Sequence, residues 1–198
     1  VRIPAAAGAD TEQSVLGAAD ATEFVVSDDA TRVALVVRGK LWAVEHPSGA
    51  ATCLECASDR RVRSPAMPAD GGTVFALHDA SGEYDIYAYD PGTGGVRRVD
   101  HDIEAPISDV SVSPNGLDLL VSTIPRDLYH VDAESGATTR IALKTRTRPE
   151  GIAWSSDSRF AVFVTFTEAG MGRVTTYDTR CASVTYLTSG SQHVYAPV

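Results

Sequence analysis

The sequence predicts an all-β fold, a β-propeller built from four-stranded antiparallel blades, from two markers that recur with one period. The first marker is a turn of Ser or Pro, then an acid or amide, then an apolar strand; its turn residues are Asp29, Asp70, Asn115 and Asp157, spaced 41, 45 and 42 residues apart. The second is an acid that follows an apolar strand; these acids are Glu45, Asp90, Asp132 and Asp178, spaced 45, 42 and 46 residues apart. A repeat of about 40 to 50 residues made only of strands is typical of one propeller blade.

The strands of each repeat differ in their apolar pattern. The strands after the first marker, such as "VALVV", "VFAL" and "FAVFV", are apolar at consecutive positions, which indicates burial on both faces between neighbouring blades. The segments "VRRVD" and "TTRIAL" alternate charged and apolar residues, as expected of solvated outer strands. The segment "TEQSVLGAADATEF" is the one ambiguous stretch, and we interpret it as a turn followed by a strand.

The turn residues have a chemical reason to be where they are. Asp and Asn side chains bond backbone amides two residues on, and a following Gly readily adopts a positive φ. We expect the acid that closes each third strand to cap the next turn in the same way, as in "DPGTGG" and "DAESGA".

The stretch "DASGEYDIYAYDPGTG", residues 79–94, is predicted to be one copy of this repeat. Its tyrosines Tyr84, Tyr87 and Tyr89 are placed on the third strand of the second blade, where they would pack between blades. A role in stacking against a ligand is the less favoured alternative.

Composition excludes some partners. The formal net charge is −9 and no basic stripe is visible, which argues against nucleic-acid binding. No apolar run approaches the roughly 20 residues of a membrane helix. We therefore predict no nucleic-acid partner and no membrane partner.

The search for reactive motifs gives no catalytic residue, no metal site and no cofactor. Nucleophile-elbow, zinc-protease, P-loop and dinucleotide motifs are absent from the sequence. His78 and His101 could act as bases in principle, but surface or structural roles are favoured. The three cysteines, Cys53, Cys56 and Cys181, are expected to be reduced, with a local redox pair or a metal site at "CLEC" as alternatives.

Polar residues that lead into the inner strands are the candidate ligand-contacting groups, because propellers place ligand sites where inner strands meet the axial channel. These channel-lining candidates are Arg61, Arg63, Asp109, Arg148 and Glu150. Solvated loop charges are the alternative interpretation. If the residues do line a tunnel, their mixed charge would suit zwitterionic peptides.

The repeats resemble those of the tricorn peptidases, specifically their second, seven-bladed propeller. The segment "RRVRSPAMPADGGTVFALHDASGEYDIY" resembles a blade with an Arg-rich start and an S-D-x-S-G-E-Y-E-L-Y strand, although Met67 stands where the family has Trp. "SPNGLDLLVSTIPRDLYHVDAESGATTRI" is similar to the following blade, and "AWSSDSRFAVFV" with the closing "LTSG" is similar to a further one. The S-P-D-G motif by itself is shared with TolB-type and dipeptidyl-peptidase propellers.

The resemblance implies that residues 1–198 are a propeller segment of about four blades plus partial ones, part of a seven-bladed ring in a larger multidomain chain. It further implies a cytoplasmic, homo-oligomeric serine peptidase that degrades oligopeptides, with its catalytic and PDZ domains elsewhere in the same chain. We expect the open blade faces to be covered by other parts of the polypeptide or by neighbouring copies.

Two other functions remain open at this point. One is a TolB-like propeller that recruits a protein partner and hydrolyses nothing. The other is a lactonase-type propeller with an axial metal, which the scarcity of Asn and of repeated axial acids disfavours.

Overall fold

The computed structural model describes residues 20–57 and 59–190, and all sixteen regular elements in them are β-strands. They form four separate four-stranded antiparallel sheets, and in each sheet the strands neighbour one another in chain order. The all-β prediction is confirmed.

Sheets 1 and 2 belong to the first of two compact units, in which the structure describes residues 20–57 and 59–99. Sheet 1 contains β1 (Ala21–Val26), β2 (Arg32–Val37), β3 (Lys40–Glu45) and β4 (Ala51–Glu55). Sheet 2 contains β5 (Val62–Ala66), β6 (Val74–His78), β7 (Asp85–Tyr89) and β8 (Val96–Arg98).

Sheets 3 and 4 belong to the second compact unit, in which the structure describes residues 100–190. Sheet 3 contains β9 (Ile107–Val112), β10 (Asp118–Thr123), β11 (Leu128–Asp132) and β12 (Thr138–Ile141). Sheet 4 contains β13 (Glu150–Trp154), β14 (Phe160–Phe166), β15 (Gly172–Asp178) and β16 (Ser183–Tyr186).

Each unit has a core between its two sheets. In the first unit, Ala34, Val36 and Leu41 of sheet 1 pack with a group from sheet 2: Val62, Met67, Val74, Ala76 and Tyr89. In the second unit, Leu120, Leu128 and Ile141 of sheet 3 pack with Ala161, Phe163 and Tyr177 of sheet 4. The second strands are the most deeply buried, since all five residues of β6 are buried, whereas β8 is exposed throughout. This matches the predicted contrast between doubly buried and outer strands.

The first repeat marker forms the predicted turn in all four sheets. In each turn the side-chain oxygen of the marker residue accepts a hydrogen bond from the backbone amide two residues later. The donor and acceptor pairs are Thr31 and Asp29 (2.9 Å), Gly72 and Asp70 (2.8 Å), Leu117 and Asn115 (3.0 Å), and Arg159 and Asp157 (3.2 Å). In three of the turns the preceding Ser hydroxyl also donates to the same side chain. These bonds stabilise the carboxylate and hold the pKa values of Asp29 and Asp157 below the ordinary range.

The second marker behaves as predicted at three of its four positions. Asp90, Asp132 and Asp178 accept amides from Gly92, Ser135 and Arg180 at 2.7–3.0 Å. The prediction is wrong at Glu45, whose side chain accepts no amide from the described residues of this turn. The turn keeps the backbone bond from the Gly49 amide to the Glu45 carbonyl (2.7 Å), which the turns at Asp90 and Asp132 also have. Glu has one more methylene than Asp, so a hydrogen bond from its carboxylate to a nearby backbone amide would close a larger ring. Such a bond is therefore less favourable for Glu than for Asp.

Two further expectations need correction. Tyr87 and Tyr89 lie on β7 as predicted, but Tyr84 precedes the strand and contacts Arg63 instead of the core between sheets. Cys53 and Cys56 form a disulfide, with Cα atoms 6.1 Å apart, instead of remaining reduced. Cys181 is a free, exposed thiol. The ambiguous segment contributes β1, while its residues before 20 lie outside the described residues.

Candidate functional site

The five predicted channel residues lie at corresponding places in three sheets. Arg61 and Arg63 lie immediately before and on β5, Asp109 lies on β9, and Arg148 and Glu150 lie before and at the start of β13. β5, β9 and β13 each pair with a single neighbour, so each forms one edge of its sheet. Three of these residues lie on first strands and two lie just before them; whether they line a channel stays a prediction.

Within the first unit, Arg61 and Arg63 have different surroundings. The Arg61 backbone amide donates to Asp79 Oδ1 at 2.7 Å, which fixes the backbone at Arg61, while its side chain is exposed. The half-buried Arg63 places its guanidinium carbon 4.4 Å from the centre of the Tyr84 ring, a cation–π contact. Beside them, the Ser64 amide donates to the Glu23 carboxylate of β1. β5 thus presents two arginines held by backbone and aromatic contacts, next to one acid.

Within the second unit, the remaining candidates are exposed side chains. Asp109 accepts the amide of the next residue, Val110, at 2.9 Å. Glu150 is the first residue of β13, where its backbone pairs with Val164. Arg148 lies in the loop that leads into that strand and is exposed. Carboxylates in such positions can receive an ammonium group, and guanidinium groups can bind carboxylates in a bidentate way.

A buried polar cluster joins sheets 1 and 2. His78, with 1% exposure, ends β6, and its Nε2 lies 3.7 Å from Oε2 of the buried Glu55 at the end of β4. Arg60 lies 3.6 Å from the same carboxylate oxygen. Burial lowers the pKa of His78, because removal from water disfavours the charged imidazolium. His78 is inaccessible to a substrate, which makes it a structural residue and not an accessible base.

Tyr89 completes this cluster from β7. Burial raises the pKa of its phenol, with a further contribution from the Glu55 carboxylate. Neither the Tyr89 hydroxyl nor either ring nitrogen of His78 has a hydrogen-bond partner among the described residues.

The second unit holds a related cluster that is fully bonded. Asp118 Oδ1 lies 2.7 Å from His130 Nε2, and His130 Nδ1 lies 3.2 Å from the Tyr177 hydroxyl. The order carboxylate, imidazole, hydroxyl is that of a catalytic triad, but the hydroxyl belongs to a residue with 1% exposure. A substrate cannot reach it, so the chain of bonds stabilises the packing of sheet 4 on sheet 3.

The tyrosines of the two clusters occupy equivalent positions in the repeat, whereas the histidines and acids do not. Tyr89 and Tyr177 each directly precede the acid that closes the third strand of their sheet, namely Asp90 and Asp178. His130 lies two residues before its closing acid on sheet 3, and the equivalent residue on sheet 1 is Ala43. At the position equivalent to His130, sheet 1 thus has an alanine, whose side chain has no group that could bond a tyrosine hydroxyl.

Other features of the described residues carry no reactive site. A shallow depression of about 350 Å³ opens beside β8, with Asp90 and Arg97 at its rim, but Asp90 is already engaged by the turn that follows it. No group of three or more His, Cys, Asp or Glu side chains within 20–57 and 59–190 is arranged to hold a metal ion. That part of the chain also has no helix with the length and hydropathy of a membrane span.

Comparison with solved structures identifies the fold as a β-propeller. The chain is similar to the tricorn protease, with a TM-score of 0.76 and 21% identity, over 90% of this chain and 18% of that one. It is similar to TolB from Acinetobacter baumannii with a TM-score of 0.63 and 18% identity, over 84% of this chain and 43% of that one. Puromycin hydrolase matches with a TM-score of 0.63 and 17% identity, over 90% of this chain and 29% of that one.

The chain thus spans less than half the length of each of these three proteins. The sequence matches no protein-family model and no curated protein. At these identities the likeness shows the fold, and a peptidase context and a TolB-like context are both compatible with it.

Sequence reasoning missed several residues of these sites. Glu23 and Glu55 were not singled out, because each meets its partner between two sheets. Tyr84 was singled out, but its contact with Arg63 was not expected. His130 could have been found by its position in the repeat. It lies two residues before the closing acid Asp132, and it contacts Tyr177, which lies one residue before the next closing acid.

Proposed function

We propose that this chain is a non-catalytic propeller segment of a tricorn-like serine peptidase, in which it helps form an access channel for oligopeptides. The observation that supports this most is the likeness to the tricorn protease over 90% of the chain, together with the ordered resemblance of successive blades. The catalytic and PDZ domains would belong to the same polypeptide, and the protein would work as a cytoplasmic homo-oligomer.

The chemistry of the first strands is consistent with passage of short peptides. A peptide carries a carboxylate at one end and an ammonium group at the other, and the candidates supply both complements: guanidinium groups at Arg61 and Arg63, and carboxylates at Asp109 and Glu150. The contact of Arg63 with Tyr84 reduces the conformational freedom that the side chain would lose when it binds.

The experiment measures peptide hydrolysis by the full-length protein. Short fluorogenic peptides should be cleaved. The double variant Arg61→Ala with Arg63→Ala should lower kcat/KM by about tenfold, because the loss of one charge-assisted hydrogen bond costs about 1.5 kcal/mol. Arg97→Ala on the outer strand β8 is the matched control and should leave kcat/KM unchanged. Hydrolysis by residues 1–198 alone would refute the non-catalytic assignment, and equal effects of the two sets of variants would refute the channel role.

A second candidate is a TolB-like propeller that acts as a protein-interaction module. The disulfide between Cys53 and Cys56 favours it, because disulfides persist in oxidising compartments and are rare in the reducing cytosol. The same full-length preparation distinguishes the two functions. A protein that binds a partner through this segment and hydrolyses no peptide supports the second candidate.

A further inference from the structure

We propose that Cys53 and Cys56 form a reversible thiol–disulfide exchange site that reacts with small-molecule thiols and controls the position of Glu55 between sheets 1 and 2. This inference does not depend on the proposed peptidase function.

The disulfide encloses a β-bulge. Leu41 of β3 pairs with Glu55 of β4, but the next residue, Trp42, pairs with Cys53. Leu54 is therefore the extra residue of the bulge, and the disulfide joins the residues on either side of Leu54 and Glu55. A bulge redirects side chains relative to the regular alternation of a strand.

The bulge directs two neighbouring side chains inward. Leu54 packs against the core of the first unit, although it is adjacent to Glu55, which is also buried. The Glu55 carboxylate then accepts the Ala57 amide at 3.0 Å and lies near His78 and Arg60. The covalent link thus fixes the backbone that places a buried carboxylate against sheet 2.

A role in global stability is a poor explanation for this bond. A disulfide between residues three apart closes a very short loop and removes little entropy from the unfolded chain. The flanking segment also has its own attachment, because Lys40 Nζ donates to the carbonyls of Ala57 and Arg60. Opening the bond would therefore change residues 53–56 and leave the rest of sheet 1 in place.

Access to the bond favours exchange. Cys56 is exposed and Cys53 is half-buried. A small thiolate attacks Sγ of Cys56, forms a mixed disulfide with it and releases Cys53 as a thiolate. A second small thiol then attacks the mixed disulfide, releases the Cys56 thiol and leaves as a small-molecule disulfide, so that two electrons and two protons pass to the cysteine pair. Exposed disulfides are the ones that exchange readily.

The first test equilibrates the full chain with glutathione and glutathione disulfide at a series of ratios. After an acid quench, the free thiols are alkylated under denaturing conditions and counted by intact mass. We expect all three cysteines to be labelled at the reduced end and neither Cys53 nor Cys56 to be labelled at the oxidised end, with a reversible transition between them. Cys181→Ser should retain the two-thiol transition, and Cys56→Ser should abolish it. A constant label count at every ratio, whether one or three, would overturn the exchange site.

The second test asks whether exchange moves Glu55. Hydrogen exchange at the amides of residues 54–57 should become about tenfold faster, or more, on reduction, whereas amides of β1 should keep their protection. Equal protection of residues 54–57 in the two states would overturn the link to Glu55. The comparison uses the wild-type chain in both states, so it holds even if Cys56→Ser fails to fold.

Discussion

The equivalent tyrosines of the two units give a matched test of the buried clusters. Tyr177→Phe removes the hydroxyl that bonds His130 and leaves a ring nitrogen without that bond. Tyr89→Phe removes a hydroxyl that is 0% exposed and has no partner within the described part of the chain. The substitution is the same in both cases, and both rings lie in a core between two sheets. Differences in hydrophobicity therefore cancel to a first approximation.

Tyr177→Phe should destabilise the protein, whereas Tyr89→Phe should not. A net hydrogen bond contributes about 1 kcal/mol, and an imidazole nitrogen left without its partner adds a further cost, so Tyr177→Phe should lower the free energy of unfolding by about 1–2 kcal/mol. A buried hydroxyl without a partner carries a desolvation cost of about 1–3 kcal/mol by mutational data, so Tyr89→Phe should be neutral or stabilising by about 1 kcal/mol. The two variants should differ by about 1–3 kcal/mol.

Urea unfolding of the full chain measures this difference. The midpoint should fall for Tyr177→Phe and stay constant or rise for Tyr89→Phe, with the slope m unchanged in both. Hydrogen exchange assigns each effect to its unit, since the two units need not unfold together. If Tyr89→Phe destabilises as much as Tyr177→Phe does, the Tyr89 hydroxyl is bonded in solution and the comparison of the two repeats is wrong.

Two further predictions follow from pH and from backbone geometry. Burial lowers the folded-state pKa of His78 below the value of 6.5 that is typical of an unfolded chain. Below about pH 6.5 the unfolded state therefore binds more protons than the folded state, so the free energy of unfolding should fall as the pH drops through that value. His78→Leu should reduce this pH dependence, which thermal unfolding at a series of pH values measures. Gly94 and Gly136 each lie four residues after a closing acid and have φ near +70°. A Cβ atom on Gly136 would lie 2.5 Å from the Asp100 carbonyl oxygen, whereas a Cβ atom on Gly94 would meet no atom within 4 Å. Gly136→Ala should therefore cost more than the roughly 1 kcal/mol of left-handed strain expected for Gly94→Ala, and equal losses in urea unfolding would contradict the steric argument.

Local chemistry explains which parts of the fold could be predicted from the sequence. The turns at Asp29, Asp70, Asn115 and Asp157 form as predicted, because an Asx side chain and the amide two residues on bond without help from the rest of the chain. The strands after them were equally predictable, since burial on both faces leaves a continuous apolar run.

The contacts that could not be predicted from the sequence share a different cause. The contact of Tyr84 with Arg63 and the approach of Glu55 to His78 join residues 21 and 23 positions apart, in positions set by sheet register and packing. The bulge that aims Glu55 inward is itself a local departure from regular pairing and has no marker in "CLEC". The predicted channel residues lie on edge strands or just before them, but whether they face a common channel depends on packing between sheets, which no single strand sequence encodes.

The order of strands in the sheets has a consequence for synthesis. Each sheet is one continuous segment whose strands pair only with the strand before and the strand after, so every hairpin joins residues that leave the ribosome close together in time. Contacts of such short sequence separation form quickly, and a sheet can complete its pairing before the next sheet has been translated. In the first unit, sheet 1 would then wait with its half of the core exposed until β6 and β7 emerge, and a chaperone that binds apolar strands would find its target during that interval.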